Sequence, residues 1–406
     1  MNILFLTLLD FNSINERNIY LDLLREFKKC NHNIYIISPI ERRTKKKTKI
    51  IKDDNVEILK LKVGNIQKTN IIEKGISTVM LEKQFIRGIE KYFLNVNFNL
   101  VLYSTPPVTF CNVVEYVKRR DGAKSYLLLK DIFPQNAVDL KMLKKNGVFS
   151  FIYKFFREKE KKLYAISDAI GCMSPANCKY ILSHNPELKS DKVELCPNSI
   201  EPLNLSLSSY CSQQVREKYG LPKNKKLFVY GGNLGRPQNV PFIVKCLEAC
   251  SDINDVFFVI AGNGTDRHYL EEYIRDKNPR NVKLLGLLPK EEYDAMIACC
   301  DIGLIFLDHR FTIPNFPSRL LSYMQAGLPI LACTDNNTDI GKVITAGGFG
   351  LWCESNSENN FKNLINKLLK MDLKPLKERG YEYLLKHYTS QICYETIINR
   401  INDLNR

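Results

Sequence analysis

Residues 226–238 read KLFVYGGNLGRPQ, and the fold class follows from this stretch. An apolar run that is typical of a buried strand ends in paired glycines, and a polar loop and a helical segment follow it. Glycine allows the backbone to approach a ligand closely, and the start of a helix offers free N–H donors to a phosphate. Taken alone, the pattern also fits a tight turn at the start of a domain.

Outward from this motif, strands and helices alternate along nearly the whole chain. The predicted strands are 3–8, 33–38, 100–103, 125–129, 169–173, 226–230, 256–261, 282–285, 302–307 and 329–333. Helical periodicity separates them, for example at Ile14–Lys29, Glu291–Cys299 and Pro317–Ala326. Continuous apolar strands joined by helices form parallel sheets that are covered on both faces. The sequence therefore predicts an α/β protein of the doubly wound, Rossmann-like class.

The length of 406 residues exceeds one ordinary core and predicts two such domains. The stretch Pro197–Ser212 lacks periodicity and is rich in Pro, Ser and Asn, which is typical of a linker. We expect a first domain over 1–200 and a second over 213–387. The basic stretch Ile40–Lys52 is predicted to be a loop.

Composition narrows the protein class. No apolar run approaches the roughly 18 residues that cross a bilayer, and MNILFLTLL lacks the basic start and cleavage site of a signal peptide. The 13 cysteines form no CxxC pair, which favours reduced thiols and a cytoplasmic protein. The net charge of +15 favours an anionic partner, such as nucleic acid, a membrane surface or a phosphorylated substrate, although solubility alone also explains it.

Two further motifs follow the first. Gly262 and Gly264 lie in AGNG, between a predicted strand and a predicted helix, where the favoured interpretation of each glycine alone is structural. Residues 315–329 read NFPSRLLSYMQAGLP. Pro317 suits the first turn of a helix, and Arg319 then places a cation where the helix dipole disfavours it. An anion bound between Arg319 and the helix amides explains that placement, and so does an ion pair with a nearby carboxylate.

The order of the segments GGNLGRPQ, AGNG, VKLLGLLP and FPSRLLSYMQAGLPILA resembles the nucleotide-sugar half of bacterial retaining glycosyltransferases of family four type, which have two Rossmann-like domains, the GT-B class. The chain is similar in particular to enzymes that build O-antigen and capsule repeat units, including N-acetylfucosaminyl transferases. YSTPPVTF, KDIFPQNAVDL, CMSPANCKYIL and CPNSIEP extend the resemblance into the first half. It implies domains that face each other across a cleft, a donor held mainly by the second domain, and a terminal helix within 388–406 that returns to the first.

The resemblance also assigns roles to residues. Gly232 and Asn233 lie where the glycine turn faces the donor phosphates. Arg319 lies where a Lys or Arg commonly binds the diphosphate, and Leu287 lies in the loop that borders the base. The expected donor-binding residues are Gly232, Asn233, Arg236, Gln238, Gly262, Gly264, Leu287, Pro317, Ser318, Arg319 and Ser322.

Two departures from the family pattern bear on these roles. Many relatives carry an Arg and a Lys where this chain has Asn233 and Gln238, so we expect Arg236 to supply charge instead. Many relatives also carry two Glu where this chain has Pro314 and Ser322. The second Glu usually holds the ribose hydroxyls, so Ser322 weakens or replaces that contact.

Asp131 and Arg319 are the candidate catalytic residues. The sequence has no DxD-type pair at a strand end with other carboxylates nearby, so we expect no metal ion and no cofactor besides the UDP-sugar donor substrate. Arg319, Arg236 and helix amides are expected to stabilise the leaving diphosphate. The resemblance implies that the leaving phosphate itself takes the acceptor proton. Asp131 is the candidate for orienting an acceptor hydroxyl, and capping the helix after Pro134 is the alternative.

The segment Val148–Tyr164 mixes aromatic and basic residues. One interpretation is an ordinary amphipathic helix that packs on a core through Phe149, Ile152, Phe156 and Leu163. The other is a helix at an anionic membrane surface, which favours attachment to the inner face of the cell membrane and a polyprenyl-diphosphate-linked acceptor. The expected lipid-facing residues are then Phe151, Lys154, Phe155, Arg157, Lys161 and Lys162. Both interpretations stay open at this point.

The expected function is transfer of a sugar, an N-acetylated hexosamine or deoxyhexosamine, from a UDP-sugar to a lipid-linked saccharide in O-antigen, capsule or lipopolysaccharide synthesis. One alternative is a sugar-nucleotide 2-epimerase, which requires acids or His in the cleft for proton transfer. Another is a catalytically silent partner subunit, which the missing Glu pair indicates. Nucleic-acid binding is disfavoured because the sequence contains no recognition module.

Overall fold

The computed structural model describes residues 1–65, 71–203 and 212–406, without the side chains of 71–79 and 212. These residues divide into two compact units, Met1–Glu201 with Ser390–Arg406, and Pro202–Thr389. The stretch 197–212 falls partly outside the described residues, so its role as a linker stays a prediction.

The first unit is an α/β structure around one sheet. Its strands are β1 (Asn2–Leu6), β2 (Asn33–Glu41), β3 (Lys49–Asp53), β4 (Val56–Val63), β5 (Leu100–Ser104), β6 (Lys124–Leu129), β7 (Ala169–Cys172) and β8 (Val193–Leu195). Its helices are α1 (Ile19–Lys29), α2 (Ile71–Tyr92), α3 (Cys111–Asp121), α4 (Gln135–Asp139), α5 (Ser150–Ile166), α6 (Pro175–His184) and α15 (Ser390–Leu404). The strand order β3-β4-β2-β1-β5-β6-β7-β8 places the first strand near the middle, as in doubly wound sheets.

Helix α1 begins at Ile19 instead of the predicted Ile14. Asn18 is extended, and its side-chain oxygen accepts hydrogen bonds from the N–H groups of Tyr20 (2.9 Å) and Leu21 (3.0 Å). An Asn cap of this kind fixes the start of a helix. Ile14 is buried in the loop before the cap, so its apolar character serves the core without being helical.

The predicted loop over Ile40–Lys52 is wrong at both ends. Strand β2 continues to Glu41, and β3 begins at Lys49 and pairs antiparallel with β4. Charged residues interrupt the apolar residues of β3 (KIIKD) and β4 (VEILKLKV), so these strands lack the continuous apolar run that is typical of the central ones. Charged side chains on such an edge strand also discourage pairing with another chain.

The second unit has a wholly parallel sheet. Its strands are β9 (Lys226–Asn233), β10 (Val256–Asn263), β11 (Val282–Leu285), β12 (Ile302–Phe306), β13 (Ile330–Thr334) and β14 (Gly350–Glu354). Its helices are α7 (Ser212–Lys218), α8 (Val240–Ala249), α9 (His268–Lys277), α10 (Lys290–Ala298), α11 (Arg319–Gln325), α12 (Ile340–Ala346), α13 (Glu358–Lys370) and α14 (Lys374–His387). The strand order is β11-β10-β9-β12-β13-β14, which confirms the predicted α/β fold class.

Parallel pairing decides where the motifs meet. The carboxyl ends of parallel strands share one edge of their sheet, where ligands bind in open α/β folds. In the second unit, this edge carries the loops after β9, β10, β12 and β13, which are residues 234–239, 264–267, 307–318 and 335–339. The glycine motifs and the NFPSR motif are therefore neighbours at one edge of the sheet.

Candidate functional site

Hydrogen bonds from neighbouring loops hold the backbone of the loop over 307–318 in place. The N–H of Asp308 donates to the carbonyl of Pro237 in the loop after β9 (2.9 Å). Asn337, in the loop after β13, donates through Nδ2 to the carbonyl of Phe311 (2.5 Å). The loop is therefore fixed on both sides by the protein itself, which is the condition for preorganised binding.

The two glycine motifs pack against each other at this edge. Gly232 and Gly262 have φ angles of 128° and 155°, which side chains rarely adopt. A Cβ atom on Gly262 would lie 1.9 Å from the carbonyl oxygen of Gly232, and one on Gly264 would lie 2.3 Å from that of Leu234. The structure thus requires glycine at these positions in order to bring the loops after β9 and β10 into contact.

Arg319 lies beside the first glycine turn. Its Cζ atom is 4.2 Å from the centre of the Tyr230 ring, and its Nη2 is 3.2 Å from where a Cβ on Gly232 would stand. Within the described ranges, no carboxylate lies within ion-pairing distance of Arg319, and its buried Nη1 has no hydrogen-bond partner. A buried cationic donor without an acceptor is costly, which is typical of a site that binds an anion.

Tyrosine side chains hold the strand end and helix α11 together around this cation. The Tyr323 hydroxyl accepts the N–H of Gly231 (3.0 Å) and donates to the carbonyl of Leu304 (3.1 Å). Burial raises the pKa of Tyr323 to about 12, although Arg319 opposes that change. Burial also raises the pKa of Tyr230. Both tyrosines are therefore neutral at physiological pH, and they leave the charge of Arg319 uncompensated.

Two predicted donor-binding residues bind each other. Asn233 donates through Nδ2 to Oε1 of Gln238 (3.0 Å), which also accepts the N–H of Gly235 (3.3 Å). The positions where many relatives carry cations here form a neutral bridge that shapes the loop. Arg236 is exposed, and in the described part of the chain its side chain has no hydrogen bond or ion pair. Of the two expected cations, Arg319 is the one that contacts the glycine turn.

The remaining predicted residues lie on two loops and one helix. Pro317 is half-buried and Ser318 is exposed, just before α11 begins at Arg319. Ser322 lies on the same face of α11 as Arg319, one turn along, and is half-buried. Leu287 follows β11 and is 79% exposed, so its side chain is available to a ligand.

Sequence patterns assign no role to four residues of this edge, which are Asp308, Arg310, Asn315 and Tyr230. Asp308 is fully buried (0% exposed), and Arg310 binds it bidentately, through Nε (2.9 Å) and Nη2 (2.5 Å). Asn315 has a buried Nδ2 without a partner among the described residues. Tyr230 stood inside the first motif, but only the contact with Arg319 distinguishes it from a core residue. A useful signal for Asp308 was its position directly after an apolar strand.

Comparison with known proteins matches one part of the chain to a family. Residues 212–384 match the family described as Glycosyl transferases group 1. This part of the chain is therefore similar to group 1 glycosyltransferases. The matched range contains all the residues placed above at the carboxyl edge of the second sheet.

Relatives of the whole chain agree with this domain. The chain is 23% identical to the probable glycosyltransferase WbjE of Pseudomonas aeruginosa over 333 residues, which are 81% of this chain and 80% of that protein. It resembles Anabaena HepE in complex with UDP, with a TM-score of 0.68, 13% identity and coverage of 99% and 100%. It also resembles WaaG, a glycosyltransferase involved in lipopolysaccharide biosynthesis, with a TM-score of 0.67, 12% identity and coverage of 98% and 99%. The structural similarity confirms the GT-B fold.

Outside the group 1 domain, Asp131 follows β6 at the carboxyl edge of the first sheet. Its Oδ2 accepts a hydrogen bond from Nδ2 of Asn136 (2.8 Å), and its carbonyl accepts one from Oγ1 of Thr105 (2.9 Å). No side chain caps α4, so the alternative role of Asp131 as its cap is not observed. Burial raises the pKa of Asp131 to about 6, against the opposing effect of hydrogen bonds from the Ile132 backbone and Asn136.

The basic residues expected to contact lipid differ in their surroundings. Arg157 binds Glu160 (2.5 Å) and also Asn185 (2.7 Å), so its guanidinium joins α5 to the end of α6. Lys161 lies 3.5 Å from Glu187, and Lys162 lies 2.9 Å from Glu115. Lys154 is exposed, and among the described side chains it has no ion-pair partner.

The apolar residues near the start of α5 are exposed. Phe149 and Phe151 are 66% and 62% exposed, and Phe155 is 43% exposed. The expectation that Phe149 shares a buried face with Leu163 is therefore wrong, because Phe149 precedes the helix and points away from the core that buries Leu163. Exposed residues of this neighbourhood are Lys141, Met142, Lys144, Lys145, Val148, Phe149, Phe151, Lys154 and Phe155, which we call the aromatic–basic tip.

Residues 1–65, 71–203 and 212–406 contain no group of three or more His, Cys, Asp or Glu side chains arranged to hold a metal ion. No helix in the same ranges combines the length and the apolar character needed to span a bilayer.

Proposed function

We propose that this protein transfers a sugar from a UDP-sugar to a lipid-linked saccharide during synthesis of a surface polysaccharide. The observation that carries the proposal is Arg319, a cation without a counter-ion at the carboxyl edge of a group 1 glycosyltransferase domain. A diphosphate supplies what this edge lacks, which is a compact set of negative oxygens. HepE, with a similar fold, is known in complex with UDP.

The chemistry follows from where negative charge develops. As the bond between the sugar and the diphosphate breaks, charge accumulates on the β-phosphate. Arg319 then forms a stronger charge-assisted hydrogen bond than it did with the intact donor, and only such a difference accelerates the reaction. The unpartnered Nδ2 of Asn315, on the loop that leads to Arg319, is a second donor suited to a phosphate oxygen.

Metal-independent transfer is part of the proposal. The buried carboxylate at the end of β12, Asp308, is bound on both oxygens by Arg310 and therefore is not a free ligand for a cation. Arg319 supplies positive charge where a metal ion would otherwise be needed. We further propose retention of the anomeric configuration, with the leaving phosphate taking the acceptor proton, as the resemblance to retaining enzymes implies.

Asp131 is proposed to orient the acceptor hydroxyl. It stands at a strand end of the first sheet, where open α/β folds bind ligands. Its pKa of about 6 leaves it largely ionised at neutral pH, so that it accepts a hydrogen bond from a hydroxyl group. Asn136 fixes one carboxylate oxygen and so orients the other.

We also propose that the protein works on the cytoplasmic face of the inner membrane, attached through the aromatic–basic tip. Exposed aromatic rings beside lysines suit the boundary between headgroups and acyl chains. Each Lys near an anionic surface contributes about 1 kcal/mol to attachment. Because Arg157 is bound within its unit, the attachment is assigned to Phe149, Phe151 and the neighbouring lysines.

The donor sugar is proposed to be an N-acetylated hexosamine or deoxyhexosamine. This part rests on the resemblance to N-acetylfucosaminyl transferases. Ser322 stands where many relatives hold the ribose through Glu, and its half-buried hydroxyl is the replacement we propose for that contact.

Purified protein incubated with radiolabelled UDP-sugars and a polyprenyl-diphosphate-linked saccharide tests the proposal. Transfer of label to the lipid fraction, unchanged in EDTA, is expected, and NMR of the product should show the anomeric configuration of the donor. Label that stays on the nucleotide with exchange at C2 indicates an epimerase instead. If the protein catalyses neither reaction with any donor and also fails to bind UDP, the proposal of transfer is contradicted. A silent partner subunit is then the remaining interpretation.

A further inference from the structure

Arg319 is unusual in how it is held. Its Cζ atom lies over the Tyr230 ring, 4.2 Å from the ring centre, and no carboxylate pairs with it in the described ranges. A carboxylate would occupy the N–H donors of the guanidinium and neutralise its charge. An aromatic face attracts the cation through the ring quadrupole and leaves the N–H edge available.

Tyr230 is itself fixed by the glycine turn. Its hydroxyl donates to the carbonyl of Asn233 (2.6 Å), at the point where β9 ends. Its ring also contacts Phe306, with ring centres 6.0 Å apart, in the core of the unit. The ring is buried, so that neither its position nor its angle is free to change.

The glycine turn and the cation are consequently one assembly. Gly232 has no side chain to displace Nη2 of Arg319, and the Gly231 N–H is bound to the Tyr323 hydroxyl on the same helix as Arg319. The Tyr293 hydroxyl occupies the space over Gly231, 2.1 Å from where a Cβ would stand. Each contact limits where the guanidinium of Arg319 can lie. Among these contacts, the face of the Tyr230 ring is the one that attracts its positive charge.

We propose that Tyr230 is a positioning residue for the transfer reaction: its aromatic face holds the guanidinium of Arg319 in place and leaves the N–H groups free to bind the donor diphosphate. The inference rests on the proposed function, because it assumes that Arg319 binds the diphosphate. It adds that the affinity for UDP depends on the ring of Tyr230 as well as on Arg319.

The test compares UDP binding, by calorimetry, and kcat and KM for transfer in four variants. Tyr230→Leu removes the aromatic face and should weaken UDP binding by roughly threefold to thirtyfold, since cation–π contacts of desolvated cations have this range. It should lower kcat and raise KM together, as Arg319→Ala does. Tyr230→Phe keeps the ring and should stay within about threefold of the wild type. Phe258→Leu, a matched change of a buried ring that packs against Phe228 in the same unit, should lower the melting temperature without changing UDP affinity.

A double variant separates positioning from general damage. If Tyr230 acts through Arg319, Tyr230→Leu causes no further loss of UDP affinity in an Arg319→Ala background. An equal loss in both backgrounds overturns the inference. UDP binding unchanged by Tyr230→Leu but weakened by Arg319→Ala also overturns it, and leaves the proposed function standing.

Two remaining outcomes are equally decisive. UDP affinity unchanged by Arg319→Ala contradicts the diphosphate site itself, and with it the basis of the inference. If Tyr230→Leu does not fold, a series of fluorinated phenylalanines at position 230 weakens the ring face at nearly constant shape. UDP affinity should fall stepwise with added fluorine, and a flat series contradicts the role of Tyr230.

Discussion

The carboxyl edges of the two sheets carry opposite chemistry. In the second unit, Arg319 is a cation that no carboxylate neutralises in the described ranges. In the first unit, the Nζ of Lys130 already donates hydrogen bonds to the carbonyls of Cys196 and Pro197. Burial raises the pKa of Asp131 at the same edge. One edge therefore suits a ligand rich in negative oxygens, and the other suits a hydroxyl group.

Removing the positive charge of Arg319 should have the largest effect on this contrast between the two edges. Arg319→Ala removes a charge-assisted hydrogen bond worth roughly 1.5–3 kcal/mol, so we expect a loss in kcat/KM of about tenfold to a hundredfold. The loss should appear in kcat as well as KM, because the bond strengthens as the diphosphate leaves. Arg319→Lys should recover part of the rate, since the charge remains while the planar fork is lost. Steady-state kinetics with the UDP-sugar that gives transfer measures both.

Arg236→Ala is the matched control for Arg319→Ala. Arg236 is exposed, so its removal should change kcat/KM by less than about fivefold. A large effect of Arg236→Ala together with normal turnover of folded Arg319→Ala would reverse the assignment of the two arginines. The diphosphate would then lie beside the short turn over 236–238.

Sequence alone located the second edge far better than the first. Gly232, Gly262 and Arg319 stand in short motifs, and parallel strand order brings the ends of those motifs to one edge. The contact between Tyr230 and Arg319 joins residues far apart in the chain, which no local pattern reveals. In the same way, nothing in the sequence of α5 showed that Arg157 binds Asn185 at the end of another helix.

The edge strands mark another limit of sequence patterns. Strand β3 was assigned to a loop because its lysines interrupt the apolar run by which buried strands are recognised. Its place beside β4 is decided by pairing, not by composition. Phe149 shows the converse error: helical spacing placed it with Leu163, although it lies before α5 begins. Patterns therefore identified the central strands and their loops, and missed what long-range contacts decide.

A surface feature of the first unit, the aromatic–basic tip, gives the next test. Phe149→Ser with Phe151→Ser removes the two most exposed aromatic rings of the aromatic–basic tip. If the tip inserts into a bilayer, binding to anionic vesicles should fall roughly thirtyfold, since partial burial of each of the two rings contributes about 1 kcal/mol. Cosedimentation with phosphatidylglycerol vesicles measures this, and high salt should weaken the binding of the wild type.

Leu94→Ser is the control for the tip. Leu94 belongs to the same unit and is 67% exposed, but lies outside the tip. Its replacement should leave vesicle binding unchanged. Equal binding by the double Phe variant and the wild type would remove the tip from the account of membrane attachment and leave these rings as exposed apolar residues only.

The smallest expected effect concerns Asp131, at the carboxyl edge of the first sheet, and how stability and activity depend on pH. The pKa of Asp131 is raised from 3.8 to about 6, so the folded protein holds this proton more tightly than the unfolded chain does. Stability is therefore lost as the pH rises from about 4 to about 6. Asp131→Asn cannot ionise, so its melting temperature should exceed that of the wild type by a margin that grows over this interval.

The activity of the wild type should change with pH in the opposite sense. The ionised carboxylate orients the acceptor, so kcat/KM of the wild type should rise with pH through about 6, and Asp131→Asn should be flat and about fivefold slower at pH 8, the cost of about 1 kcal/mol in one hydrogen bond. Asp139→Asn, a neighbouring carboxylate bound by Gln135, is the control and should keep the wild-type profile. A more stable Asp131→Asn with an unchanged rate would make Asp131 a buried structural acid, and the hydroxyl-binding edge would need another residue.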